Sequence, residues 1–230
     1  MIVSRPVQYT SDVAGYRRLF AALGLVALVE EADWSVYAAG DGRVALHRVE
    51  PGDPLDGLAA LGFESDDLDA AANAFGDPAR RFVADNGASG VAIAGELELV
   101  VLELAPGERR GTQGLRALGL WVSAHVDAAA SVLERLGLRA EVRSDSGRWV
   151  QLVADAGLAA VHDGDVPAAQ VSFEYEGDVD ELAARVRAEG VDAHVVDESY
   201  GRTLLIPRPE GGEPIWINEC QSDLYGYTAL

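Results

Sequence analysis

Apolar and polar positions near the C-terminal end of the chain follow two different periods in turn. Residues 171–175 form a short apolar run typical of a buried strand, and residues 178–190 repeat apolar side chains at helical spacing. Acids in the first turn of this segment and Gly190 behind it are typical helix ends. Three further extended runs follow at 193–196, 203–206 and 215–218. The pattern predicts the order strand, helix, strand, strand, strand, abbreviated here as βαβββ.

The same order occurs four times along the chain. The predicted units cover about residues 1–50, 55–105, 114–163 and 168–220. Their helices are predicted to begin near Asp12, Asp66, His125 and Asp178. A linker-like segment at 105–112 divides the chain nearly in half. Duplication therefore predicts two domains of two units each, at 1–108 and 111–230.

Local features repeat as well. Trp34 stands 13 residues before His47, and Trp149 stands 13 residues before His162. The dipeptide Phe-Glu at 63–64, with acids shortly after it, recurs at 173–174. These matches favour duplication over coincidence.

Composition limits the function classes. The chain has 230 residues, 49% of them apolar, which is enough for a substantial core. A net charge of −20 disfavours nucleic acid and anionic membranes as partners. No lysine is present, which excludes Schiff-base chemistry, and the single Cys220 cannot form an internal disulfide. We expect a cytoplasmic protein, without a membrane span, that is a monomer or a weak homodimer.

The chain resembles a known superfamily. The repeated βαβββ order, the motif at 43–47 (RVALH) and the motif at 200–212 (YGRTLLIPRPEGG) resemble the vicinal oxygen chelate superfamily, which contains glyoxalase, bleomycin-resistance and extradiol dioxygenase proteins. The resemblance implies an α+β fold in which two units pair and their curled sheets form a cup. Four βαβββ units then form two glyoxalase/bleomycin-resistance-type cup domains.

The resemblance also implies positions for a divalent metal, held by His or Glu on the first and last strands of a unit. The first-strand positions correspond to Arg5, Ala60, Leu118 and Val171, and none of these is a ligand. The last-strand positions correspond to Ala45, Glu98, Ala160 and Trp216, of which only Glu98 is a carboxylate. A single carboxylate is not a metal site. We therefore predict no metal ligands and no cofactor.

Histidine and tryptophan are the remaining candidates for a site. Period-two alternation places His47 and His162 on the strand face that would look into a cup. The alternative is that both are hydrogen-bonded or solvated histidines at strand ends. Each tryptophan lies in a predicted strand, where it either packs in the core or lines a cup as an apolar stacking surface. The predicted ligand-binding residues are Trp216, Trp149, Trp121, His162, Trp34 and His47.

Three functions are consistent with these patterns. The first is a binding protein that holds a small, partly aromatic molecule in a cup without a catalytic metal, preferentially in the C-terminal cup. The second is a metal-dependent lyase, isomerase or dioxygenase with a relocated site, using His47 or His162 with Glu98 or Glu103. The third is a structural or regulatory protein with filled cups, which predicts no cavity large enough for a ligand.

Overall fold

The fold was determined as a computed structural model. The structure describes residues 1–84, 87–107, 110–198, 201–220 and 226–230. Glu108 and Arg109 of the predicted linker, and Tyr200 of the C-terminal motif, lie outside the described residues. No helix in the described part of the chain is both long and apolar enough to cross a membrane.

The N-terminal half contains two βαβββ units preceded by the short strand β1 (Ile2–Ser4). The first unit comprises β2 (Val7–Thr10), α1 (Val13–Leu23), β3 (Val26–Glu30), β4 (Trp34–Ala38) and β5 (Arg43–Arg48). The second unit comprises β6 (Ala59–Ser65), α2 (Leu68–Phe75), β7 (Ala79–Val83), β8 (Ser89–Ile93) and β9 (Leu99–Glu103).

The C-terminal half repeats this plan and ends in one additional strand, β18 (Tyr227–Ala229). The third unit comprises β10 (Leu115–Ser123), α3 (Val126–Leu136), β11 (Arg139–Ser144), β12 (Trp149–Val153) and β13 (Leu158–Asp163). The fourth unit comprises β14 (Ala168–Tyr175), α4 (Val179–Ala188), β15 (His194–Glu198), β16 (Gly201–Ile206) and β17 (Ile215–Glu219). The predicted α+β fold of four βαβββ units is confirmed.

Each half forms one curled sheet. The first sheet has the order β3-β4-β5-β2-β6-β9-β8-β7, with β1 paired to β6, and the second has the order β15-β16-β17-β14-β10-β13-β12-β11-β18. The two units of a half join through their first strands, which pair antiparallel as β2 with β6 and as β10 with β14. The units therefore pair within each half of the chain.

Side-chain caps explain where the helices begin. The carboxylate of Asp12 accepts a hydrogen bond from the backbone N–H of Gly15, and that of Asp67 accepts one from Ala70. Asp178 caps α4 in a similar way, by accepting from Asp180. These bonds satisfy N–H groups that have no partner within the helix. The predicted helix starts are confirmed to within two residues.

The helix-bearing faces of the two sheets pack against each other. In one core, Leu19 and Phe20 of α1 pack with Leu182 and Val186 of α4. A second core joins α2 to α3 in the same way. The opposite, concave face of each sheet carries a smaller apolar cluster of its own. We call the concave face of the first sheet, around Val7, Val36 and Ala45, the first cup, and that of the second sheet, around Leu118, Leu120 and Ala160, the second cup.

Candidate ligand-binding site in the second cup

The second cup contains a cavity of about 610 Å³. It is bounded by residues from both units of the C-terminal half and from β18, including Arg116, Glu141, Trp149, Gln151, His162, Glu174, Trp216, Asn218 and Tyr227. Strand alternation explains this set, because every second residue of β12, β13 and β17 faces the concave side. Cavities of about this size accommodate ordinary small-molecule ligands.

Two tryptophans and one histidine form the aromatic part of the wall. Trp149 and His162 are directly opposite each other on β12 and β13, and their rings meet edge to face with centroids 6.0 Å apart. Trp216 lies on β17 and packs against the same apolar cluster as Trp149. All three side chains are partly exposed, so ring surface is available to a ligand. Three of the six predicted ligand-binding residues therefore line one cavity.

A buried carboxylate lies in the polar part of the wall. Glu174 is 7% exposed and accepts hydrogen bonds from Nη1 of Arg116 at 2.9 Å and from Nε2 of Gln151 at 3.1 Å. Burial raises the pKa of Glu174, and the contacts with Arg116 and Gln151 oppose this shift only in part. Burial also raises the pKa of the neighbouring Cys220 thiol, with Glu174 contributing.

The sequence pattern assigned no role to Glu174. The repeated Phe-Glu dipeptide could have indicated one, since Glu64 and Glu174 occupy equivalent places near the ends of β6 and β14. Glu64 lies opposite Val3 on β1, and Glu174 lies opposite Arg116 on β10, the first strand of the third unit.

The first cup repeats the aromatic arrangement. Trp34 and His47 are opposite each other on β4 and β5, with ring centroids 5.7 Å apart, edge to face. The rings of Tyr9 and His47 are tilted by 34° to each other, with centroids 5.3 Å apart. Trp34 also lies over the guanidinium of Arg5, at 4.9 Å from ring centroid to Cζ. Trp34 and His47 thus belong to a different cup from Trp149, Trp216 and His162.

The first cup also holds a buried ion pair. Glu64 is 2% exposed and lies 3.1 Å from Nε of the fully buried Arg5, while Nη1 of Arg43 donates to its other oxygen. Burial lowers the pKa of Arg5 to about 10 and raises that of Glu64. The residue of the second cup that corresponds to Arg5 is Leu118, so the two cups differ in charge at this position.

The structure places Trp121 on the helix-bearing face of its sheet. It is 2% exposed, packs in the core with α3, and donates a hydrogen bond from Nε1 to Glu96 at 3.0 Å. Alternation along β10 explains this position, because Leu118 and Leu120 face the second cup and Trp121 therefore faces the other way. Trp121 is not among the residues that line the cavity.

No protein-family model matches the sequence, and no curated protein matches it. Solved structures do match, over nearly the whole chain. The catechol 2,3-dioxygenase structure is 15% identical, with a TM-score of 0.64 over 95% of this chain and 87% of that one. The homoprotocatechuate 2,3-dioxygenase from Arthrobacter globiformis is 17% identical, with a TM-score of 0.65 over 99% and 79%. The Mn(II)-bound glyoxalase from Novosphingobium aromaticivorans is 18% identical, with a TM-score of 0.64 over 94% and 80%.

The chain shares its fold with these dioxygenase and glyoxalase structures, which confirms the fold expected from the resemblance to the vicinal oxygen chelate superfamily. Both halves of the chain pair two βαβββ units in one sheet. At identities below one fifth, these likenesses concern the fold alone.

The side chains present do not fit the divalent metal that the vicinal oxygen chelate fold implies. Among the described residues, no three or more His, Cys, Asp or Glu side chains lie close enough to hold one ion. The buried carboxylate of each cup is already paired with a guanidinium, Glu64 with Arg5 and Arg43, and Glu174 with Arg116. A dication at either carboxylate would face a cation at close range. His162 does not form the relocated metal pair that the enzyme alternative requires, since Glu98 directly precedes β9, Glu103 ends it, and β9 belongs to the first sheet.

Proposed function

We propose that the protein binds a small, partly aromatic molecule in the second cup, without a catalytic metal. The observation that carries this proposal is the cavity of about 610 Å³ between Trp149 and Trp216. Partly exposed indole rings provide stacking surface, and aromatic pairs contribute about 0.5–1.5 kcal/mol beyond their buried area. Polar groups at one side of the cavity, chiefly Arg116, Gln151 and Asn218, can orient a ligand by hydrogen bonds. A sequestering role of the bleomycin-resistance type is the closest functional analogy.

A thermal-shift screen tests this proposal. The unmodified protein is screened against aromatic metabolites and against glycopeptide and polyketide antibiotics, with and without divalent metals. We expect at least one aromatic compound to raise the unfolding temperature equally in both conditions, because ligand binding to the folded state stabilises it. Stabilisation that depends on added metal would contradict the proposal.

A matched pair of variants then locates the site. Trp216→Ala removes a cavity wall and is expected to weaken binding of the identified compound by about ten-fold or more. His47→Ala alters the first cup and is expected to leave the affinity almost unchanged. Titration of intrinsic tryptophan fluorescence with the identified compound measures the affinity of both variants. Loss of affinity in the His47 variant alone would assign the ligand to the first cup instead.

The alternative is a metal-dependent lyase, isomerase or dioxygenase. It is favoured by the likeness to structures described as dioxygenases and as a Mn(II)-bound glyoxalase. Analysis of the metal content of protein purified without chelators separates the two functions. Stoichiometric iron, manganese, nickel or zinc would support the enzyme and refute metal-free binding.

A cytoplasmic location, a monomeric or weakly dimeric state and the absence of a nucleic-acid partner remain part of this proposal. The net charge of −20 supports the last of these, since phosphate backbones would repel the protein.

A further inference from the structure

The guanidinium of Arg5 is buried with unused hydrogen-bond donors. The side chain is 0% exposed, and its Nη1 and Nη2 have no hydrogen-bond partner among the described residues. Nε faces Glu64, 3.1 Å from Oε1. Burying polar donors without partners costs free energy, and the cost is larger for a charged group than for a neutral one. The terminal edge of Arg5 therefore has donors that only a further acceptor can satisfy.

The buried and partly buried charged side chains of the first cup also leave an excess of positive charge. Arg5 and Arg43 share the single buried carboxylate of Glu64. The remaining bonds of Arg43 go to the backbone carbonyls of Ala105 and Gly107, which carry no net charge. Glu98 is close enough to act electrostatically on Tyr9 of this cup, but it is exposed to solvent. Two cations against one buried anion leave a positive charge that an anionic ligand would neutralise.

Aromatic rings lie beside this guanidinium. Trp34 covers it at 4.9 Å, and the same indole meets the imidazole of His47 edge to face. Trp34, His47 and Tyr9 are each partly exposed, so the aromatic cluster lies between Arg5 and solvent. In the second cup, the equivalent Trp149 and His162 lie above apolar Leu118. The arginine, and not the aromatic pair, is thus what distinguishes the first cup.

We propose that the first cup is a binding site for a small aromatic carboxylate, whose two oxygens accept hydrogen bonds from Nη1 and Nη2 of Arg5. The planar guanidinium presents these two donors in the parallel geometry that matches a carboxylate. The ring of the ligand packs against Trp34, which rotates away from Arg5 to admit it. This site is separate from the cavity of the second cup and does not depend on the function proposed there.

Benzoate and its neutral isostere benzamide provide the test. Calorimetric titration of the unmodified protein is expected to show saturable binding of benzoate and none of benzamide, because only the carboxylate neutralises Arg5. Arg5→Met replaces the guanidinium by an unbranched apolar side chain and is expected to weaken benzoate binding by about ten-fold or more. Circular dichroism confirms that this variant is folded. Absence of saturable benzoate binding to the unmodified protein, or equal binding by the Arg5→Met variant, would overturn the proposal.

Two tryptophan variants locate the ligand without changing Arg5. Benzoate is expected to alter tryptophan fluorescence in the unmodified protein and in Trp149→Phe, but to leave the fluorescence of Trp34→Phe almost unchanged. The opposite pattern would place the anion in the second cup and refute the assignment. Inorganic phosphate serves as a competing anion. Tighter binding of phosphate than of benzoate would refute a carboxylate site.

Discussion

At the scale of residues, the two cups are variations on one arrangement. Each has an edge-to-face Trp–His pair and a buried glutamate at an equivalent strand end, but the arginines that neutralise the glutamates come from different positions. Strand alternation predicted that His47 and His162 share a face with the cup. It could not predict which glutamates are buried, because the burial of Glu64 and Glu174 depends on strands outside their own units, β1 and β10.

The titration of Glu174 predicts a pH dependence. Burial holds its pKa above the value in the unfolded chain. As the pH falls, the folded protein therefore takes up this proton first, so the stabilising contribution is full below the unfolded-chain pKa and is lost as the pH rises through the folded-state pKa. Glu174→Gln removes this titration. We expect the unmodified protein to gain stability relative to the variant when the pH is lowered from about 7 to about 4.5.

Urea denaturation at the two pH values measures this difference in the free energy of unfolding. Glu176→Gln, at an exposed neighbouring position, is the matched control: it retains Glu174, so its free energy of unfolding should follow that of the unmodified protein at both pH values. If acidification instead raised the free energy of unfolding of the Glu174→Gln variant relative to the unmodified protein, the raised pKa of Glu174 would be contradicted.

At the scale of elements, helices were easier to predict than the terminal strands. Helix starts are encoded locally, by an acid that caps the first turn at Asp12, Asp67 and Asp178. β1 and β18 are only three residues long, and their partners are remote in sequence: β1 pairs with β6 and bridges Ala156, while β18 pairs with β11. These two strands pair only once the sheets have assembled, so no local sequence pattern predicts them.

Two turns meet where the halves contact each other, and both require glycine. Gly42, between β4 and β5, and Gly157, between β12 and β13, have φ of 75° and 76°. A Cβ atom on Gly42 would lie 2.7 Å from Cα of Gly157, and the reciprocal distance is 2.9 Å. Such distances are far below van der Waals contact, and backbone atoms on both sides leave little room to adjust.

Alanine at either position is therefore expected to be strongly destabilising. Gly147→Ala is the matched control, because Gly147 has φ of 73° but no atom within 4 Å of its added Cβ. The control should lose about 1 kcal/mol through backbone strain alone. Gly42→Ala and Gly157→Ala should each lose about 1–3 kcal/mol more through the clash. Chemical denaturation measures all three, and equal losses would show that the turns do not pack as described.

At the scale of the whole molecule, the sequence predicted two halves but not how they combine. The repeat and the linker at 105–112 indicated the division, and the four-unit fold followed from it. The mutual packing of the helix-bearing faces could not be predicted, because apolar stripes on α1 and α4 fit a helix against its own sheet equally well. In the structure, each large core takes side chains from both halves.

This sharing of cores predicts that the halves depend on each other for stability. Separated fragments 1–108 and 111–230 would expose apolar side chains of all four helices, including Phe20 on one fragment and Leu133 on the other. At about 25 cal/mol per Å² of apolar surface, exposure of even a few such residues removes much of the 5–15 kcal/mol typical of a folded protein. We expect neither fragment alone to unfold cooperatively, whereas the co-expressed fragments should form a 1:1 complex that does. Urea denaturation, followed by both circular dichroism and tryptophan fluorescence, measures whether unfolding is cooperative. In the intact chain the two signals should change together, and cooperative unfolding of either isolated fragment would show that its cup is an autonomous domain.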